Sequence, residues 1–118
     1  GFGDALAEFT GLVEGAGLYV RPYTRSVMIT PPGNRTRYLG VVGFSGEGSA
    51  ARADVGFGAD EFVEFFPDLT TDQVRNALGS ASGKFTPEEL VAFGQRIAAL
   101  MATLSARDAG PGVVPDSS

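Results

Sequence analysis

The sequence predicts an α+β fold: an N-terminal helix, a three-stranded antiparallel meander, and then two or three helices packed on one face of the sheet. The chain has 118 residues, of which 43% are hydrophobic and 19% are charged, as expected for one globular domain. Apolar residues recur at helical spacing near the start of the chain and over its last third. Between these regions, short apolar runs alternate with turn residues, which is typical of antiparallel strands.

Capping residues indicate where the helices begin and end. Thr70 with Gln73, and Thr86 with Glu89, have the spacing of a capping box, in which side chains and backbone N–H groups of the first turn satisfy each other. Gly79 should end the helix that Thr70 begins. The predicted helices are 4–15, 61–66 (with Asp60 as its N-cap), 71–78 and 87–105, within a single domain over 1–105 that a flexible Gly/Pro/Ser tail over 106–118 follows.

The predicted strands lie in the first half of the chain. In the extended stretch 18–30, Val20 and Val27 differ in parity, so both can be buried only if the strand is interrupted between them. Pro22, which cannot donate a ladder hydrogen bond, marks the expected break. We expect an acid at Val20 or Val27 to destabilise the fold by more than ~2 kcal/mol, because it would bury an unpaired charge. The remaining strands are expected over 37–45 and 51–57.

The composition excludes several classes of site. The chain has no His and no Cys, so it cannot form a disulfide, a thiolate or imidazole metal site, or a histidine-dependent catalytic triad. An acid–base reaction would need an Asp, Glu, Lys or Tyr with a displaced pKa. No catalytic motif is recognisable, and the sequence predicts neither a cofactor nor a metal. We therefore favour a protein without enzymatic activity.

Acidic, glycine-rich and aromatic segments have structural explanations. Asp54 lies in a predicted strand with Arg52 two residues away on the same face, and we expect it to form a cross-strand ion pair. The segment 79–84 lacks the Ser or Thr that completes a phosphate-binding loop, and no predicted strand precedes it, so we expect a loop between helices. Two groups of acids fall in predicted first helical turns, where they favour the helix dipole: Asp60, Glu61 and Glu64, and Glu88 and Glu89. The aromatic residues expected to fill the core are Phe57, Phe62, Phe65, Phe66, Phe85 and Phe93.

The sequence contains neither a recognisable signal peptide nor an apolar run of about 18 residues that could span a membrane. The absence of Cys is compatible with a reducing compartment. We expect a cytoplasmic protein that does not associate with membranes.

The charges are unevenly distributed along a chain whose net charge is −5. No acid lies between Glu14 and Glu47, whereas four arginines do. If residues 19–25 are extended, every second side chain from Tyr19 to Arg25 points to the same side, and the two arginines after the next turn again share a parity. The candidate binding residues are therefore Tyr19, Arg21, Tyr23, Arg25, Arg35 and Arg37.

This pattern of residues favours the binding of an anionic partner. Guanidinium groups bind carboxylates and phosphates bidentately, and tyrosine rings offer stacking faces. The leading hypothesis is a non-enzymatic binding or interaction module that binds an acidic protein or an anionic small ligand. The alternatives are a nucleic-acid-binding module and a small carboxylate-based enzyme. It is also open whether acidic helices of the same chain neutralise these arginines.

Overall fold

The computed structural model of the protein describes residues 2–32, 38–46, 50–79 and 82–109. Within these ranges an N-terminal helix precedes a five-stranded antiparallel sheet, and the other helices follow the fourth strand. The strands are hydrogen-bonded to one another in chain order. The elements are α1 (Phe2–Gly15), β1 (Tyr19–Pro22), β2 (Ser26–Thr30), β3 (Gly40–Ser45), β4 (Arg52–Phe57), α2 (Ala59–Phe65), α3 (Thr71–Leu78), β5 (Ser82–Phe85) and α4 (Pro87–Ala109).

The sheet has two strands more than the predicted three-stranded meander, and the first arises at the break expected near Pro22. This break is a hairpin that makes β1 and β2 antiparallel partners, with Val20 opposite Ile29 and Pro22 opposite Val27. The Tyr23 N–H donates to the Ser26 carbonyl at 2.7 Å and closes the hairpin. Pro22 then lies at a non-hydrogen-bonded position of an edge strand, where its missing N–H costs no ladder bond. Val20 and Val27 therefore point to the same face of the sheet, although they differ in parity, because the hairpin interrupts the strand between them.

The second additional strand, β5, takes up the end of the predicted loop over 79–84, of which residues 80 and 81 lie outside the described residues. It pairs with β4 and thereby becomes the second edge of the sheet. Three of its four residues are exposed, and it lacks the apolar alternation that marks a strand in sequence. Phe85 is its apolar contact with the helices, with ring centroids of Phe85 and Phe93 5.4 Å apart. This segment is therefore a strand because it pairs with β4, and not because its local sequence favours a strand.

The two predicted capping boxes are confirmed. At α3, the Gln73 N–H donates to Thr70 Oγ1 at 3.1 Å, and the Thr70 N–H donates to Gln73 Oε1 at 2.8 Å. At α4, the corresponding bonds of Thr86 and Glu89 are 3.2 and 2.8 Å. Gly79 ends α3 with a φ of 63°, a left-handed value that glycine tolerates.

The other predicted helix ends need correction. Asp60 is not the N-cap of α2, because Gly58 takes that position and Asp60 lies in the first turn. Helix α4 continues to Ala109, four residues past its expected end. The rest of the expected tail, 110–118, lies outside the described residues.

The α4 capping box makes stability depend on pH. Hydrogen bonds from the Thr86 backbone and side chain hold the pKa of Glu89 below its ordinary value of 4.5. Ionised Glu89 therefore stabilises the fold above the unfolded-state pKa, and this contribution disappears as pH falls through the lower folded-state pKa. Glu89→Gln keeps a neutral acceptor, so it should be less stable than the wild type near about pH 7 and equally stable near about pH 2.

Urea unfolding of both proteins across this pH range measures the effect. Glu88→Gln, a neighbouring change outside the capping box, is the matched control. A wild-type advantage over Glu89→Gln that stayed constant down to about pH 2 would contradict the linkage.

Helices α1 and α4 pack closely at Gly94. A Cβ at this position would lie 2.9 Å from Phe9 Cδ1 and 3.2 Å from Leu12 Cδ1. Glycine therefore lets the two helices approach more closely than any larger residue would. Both helices contribute to the core, where Phe9, Phe93 and Ile97 are fully buried.

The core lies between the helices and one face of the sheet, which we call the inner face. The register places Val27, Ile29, Val42, Ala53 and Val55 on this face, and all five are buried in the same cluster as the helix side chains. Of the six aromatic residues expected to fill the core, Phe62 and Phe93 are fully buried, and the other four are half-buried and pack against it. Phe57 lies against Phe93 with centroids 5.1 Å apart and against Phe62 at 6.1 Å. No helix in the described part of the chain is long and apolar enough to cross a membrane.

Candidate functional site

The opposite side of the sheet, here called the outer face, is the candidate site. Directly paired residues of antiparallel strands point to the same face, so the register determines which side chains lie there. All of the residues named next keep some solvent exposure. The outer face consists of Tyr19, Arg21, Tyr23, Ser26, Met28, Val41, Gly43, Ser45, Arg52, Asp54, Gly56, Ser82 and Lys84. The register also places Thr30 on this side, opposite Tyr19, but Thr30 is buried.

One rim of the outer face is formed by Tyr19, Arg21 and Tyr23. Tyr19 and Arg21 lie in β1. The hydrogen bond to Ser26 continues the strand pairing as far as Tyr23, so Tyr23 points to the same face. Tyr19 is 46% exposed and Tyr23 is 49% exposed. Three of the six candidate residues are therefore brought together on one edge of the sheet.

Arg25 does not share this rim, because residues 19–25 do not form one extended strand. The hairpin reverses the chain at Thr24 and Arg25, and the Arg25 carbonyl accepts a hydrogen bond from the Phe44 N–H at 3.0 Å. Arg25 thus follows the β2 alternation of Val27 and is exposed at the end of the sheet. Arg35 and Arg37 lie outside the described residues.

The opposite rim carries Lys84, Arg52 and Asp54. Lys84 Nζ lies 2.7 Å from Asp54 Oδ1, and this lysine, together with a hydrogen bond from Ser45, holds the pKa of Asp54 below its ordinary value of 3.8. This is a cross-strand ion pair, as expected for Asp54. Arg52, two residues along the same strand, donates from its guanidinium to the Ala51 carbonyl at 2.8 Å. Lys84 was missed as a site residue because its strand has no signal in the sequence.

Between the two rims the outer face carries small and apolar side chains. Met28 and Val41 lie opposite each other and are half-buried. Around them lie Ser26, Gly43 and Gly56. These residues have a short side chain or none, so they project little above the sheet. With neighbouring strands about 4.8 Å apart, the rims on β1 and β5 are about 19 Å from each other.

The outer face differs in charge from the rest of the chain. It carries three cations, Arg21, Arg52 and Lys84, and one acid, Asp54, which is bonded to Lys84. The helical elements carry most of the acids: Asp4, Glu8, Glu14, Asp60, Glu61, Glu64, Asp72, Glu88, Glu89 and Asp108. The helices pack on the inner face, although Arg52 is close enough to Glu89 to help lower the pKa of that carboxyl.

Few features of the described residues support an enzymatic function. These residues contain no group of three or more His, Cys, Asp or Glu that could hold a metal ion. The two shifted carboxyl pKa values, those of Asp54 and Glu89, are both lowered. A carboxyl group that acts as a general acid near neutral pH needs a raised pKa, so both groups are poorly suited to that role.

Comparison with known protein families, curated proteins and solved structures finds no match to this chain. Its function is therefore inferred from the chemistry of its own surfaces.

Proposed function

We propose that this chain is a non-catalytic binding module whose outer face binds an acidic segment of a partner protein. One observation carries the proposal: cations lie on both rims of an open sheet face whose single acid already has a partner, in a chain of net charge −5. The guanidinium of Arg21 can bind a carboxylate bidentately. Tyr19 and Tyr23 beside it offer an apolar ring with a polar end, a combination enriched at protein interfaces.

The dimensions of the outer face fit an extended segment. About six residues of extended chain span the roughly 19 Å between the rims. Such a segment would cross the low centre formed by Met28, Val41 and Gly43, with a carboxylate near Arg21 and another near Lys84 or Arg52. Apolar contacts in the centre and charge pairs at the rim are the usual arrangement of a protein interface.

A protein partner is favoured over a nucleic acid by the charge of the chain. The net charge of −5 repels a polyanion at long range, and Asp54 lies among the cations of the outer face. A nucleic acid would have to bring closely spaced phosphates past this carboxylate. An acidic peptide carries fewer and more widely spaced charges, so it brings less negative charge close to Asp54 than a nucleic acid does.

Fluorescence anisotropy with labelled peptides tests the proposal. The probe is a peptide of about twelve residues with Glu at every third position, and the control peptide has Gln in its place. We expect saturable binding of the Glu peptide alone at about 50 mM salt, weakened about fivefold or more by Arg21→Ala. Arg75→Ala, which removes an exposed arginine from α3, is the matched control and should change the affinity less than about twofold.

Asp54→Asn provides an independent variant. It frees Lys84 to bind a ligand carboxylate, so it should tighten binding of the Glu peptide by about threefold. Asp72→Asn removes the same charge from α3 and should leave the affinity nearly unchanged. Equal effects of the two variants would show that net charge alone governs binding and would count against the outer face.

Labelled single-stranded oligonucleotides form the second arm of the experiment. Binding through four phosphates would weaken roughly fiftyfold between about 50 and 200 mM salt. That result, together with no binding of the Glu peptide, would replace the proposal with a nucleic-acid-binding module. Binding of neither probe at low salt would overturn it altogether.

A further inference from the structure

A second surface of the chain has the opposite chemistry. Where β4 leads into α2, two clefts of about 340 and 470 Å³ lie side by side, and both are lined by Phe57, Gly58 and Glu61. The larger of them, here called the Glu61 cleft, is lined by Tyr38, Gly40, Gly56, Phe57, Gly58 and Glu61, together with Leu39. Among the described residues that line this cleft, Glu61 alone is charged.

The carboxylate of Glu61 lies directly over Gly58. Its Oε1 occupies the space that a Cβ on Gly58 would need, so this close approach depends on the glycine. Glu61 is half-buried and makes no hydrogen bond or ion pair with another residue that the structure describes. A partly desolvated carboxylate without a partner gains free energy when a cation binds it.

The remaining walls of the Glu61 cleft suit an alkylated cation. Tyr38 is 49% exposed, and Phe57 is half-buried with its ring against Gly40. Aromatic faces attract an ammonium group, and the alkyl chain behind it gains from apolar contact. Three glycines, at positions 40, 56 and 58, line the cleft and allow Phe57 to lie over Gly40 and Glu61 to lie over Gly58.

We propose that the Glu61 cleft binds a primary alkylammonium group, with Glu61 as its counter-ion, the Tyr38 ring as its aromatic wall and Phe57 as an apolar contact. The group is either a free amine or the side chain of a lysine. This proposal does not rest on the proposed function: the cleft and the outer face share Gly56, but they accept ligands of opposite charge.

Heteronuclear NMR of the ¹⁵N-labelled chain tests this proposal. The probes are n-butylamine hydrochloride and Nα-acetyl-lysine amide, with n-butanol as the uncharged analogue and NaCl as the ionic-strength control. We expect saturable shifts of the Gly40, Gly56 and Gly58 amides with at least one amine, with a Kd of about 1–10 mM, as suits a contact with so few atoms. Saturation by the free amine, by the lysine derivative or by both supports the site and identifies which source it accepts.

Variants then assign the roles of the residues. Glu61→Gln should weaken amine binding at least about tenfold, because it removes the charge but keeps the shape. Glu64→Gln is the matched control, since it removes the same charge from an exposed position of α2 that does not line the cleft. Tyr38→Ala should weaken binding about threefold through the loss of the aromatic wall.

Two results would overturn the proposal. Equal shifts with n-butanol and n-butylamine would mean that the cleft accepts any small apolar molecule. Shifts that do not saturate, or that are the same in Glu61→Gln as in the wild type, would mean that Glu61 is simply solvated. Neither result depends on whether the Glu peptide binds the outer face, so the two proposals fail separately.

Discussion

Replacing Val27 with Asp should lower the free energy of unfolding by about 3–5 kcal/mol, enough to unfold much of a protein of ordinary stability. Val27 is 5% exposed on the inner face, directly opposite the fully buried Val42. An aspartate there would be a charge without a partner in the core, or it would have to be protonated at a comparable cost. Urea unfolding followed by circular dichroism measures the change.

The neighbouring residue provides the control for this prediction. Met28 lies on the outer face opposite Arg21, so Met28→Asp should cost less than about 1 kcal/mol. Val20→Asp should fall between the two, because Val20 packs against the core but is half-buried. If Met28→Asp unfolded the protein while Val27→Asp remained folded, the inner and outer faces would be assigned the wrong way round.

The second large effect is expected at Gly40. Replacing it with Ala should lower the free energy of unfolding by about 1–3 kcal/mol. Gly40 pairs with Phe57 across β3 and β4, and a Cβ on Gly40 would overlap the Phe57 ring. The ring cannot move freely, because it also contacts Phe62 and Phe93. The extra methyl group must therefore displace packed aromatic side chains or the strand backbone.

Gly43, in the same strand, is the matched control for Gly40. A Cβ on Gly43 would lie 3.8 Å from its nearest neighbour, Asp54 Cβ, which is an ordinary contact. Gly43→Ala should therefore be neutral or slightly stabilising, since alanine has less backbone entropy to lose on folding. In a double-mutant cycle, Gly40→Ala combined with Phe57→Leu should cost less than the sum of the single changes. Strict additivity would show that the ring is not the source of the strain.

Local patterns in the sequence determined several features of the fold correctly. Capping boxes at Thr70 and Thr86 involve residues only three positions apart, so they are readable without knowing the tertiary structure. The parity difference between Val20 and Val27 required an interruption, and the structure supplies one as a hairpin. The scarcity of catalytic residue types and the crowding of arginines into one stretch are likewise properties of the sequence alone.

Only the tertiary structure decided which side chains lie together. β5 forms because β4 offers a hydrogen-bonding edge, and this pairing gives Asp54 its partner Lys84, 30 residues away in the chain. Arg25 is separated from Tyr19 and Arg21 because the turn lies between them. The position of the turn decides to which face of the sheet each side chain points. The Glu61 cleft depends on the meeting of β3, β4 and α2. Capping is a contact within one helical turn, whereas strand partners and clefts depend on long-range packing that no short window of sequence contains.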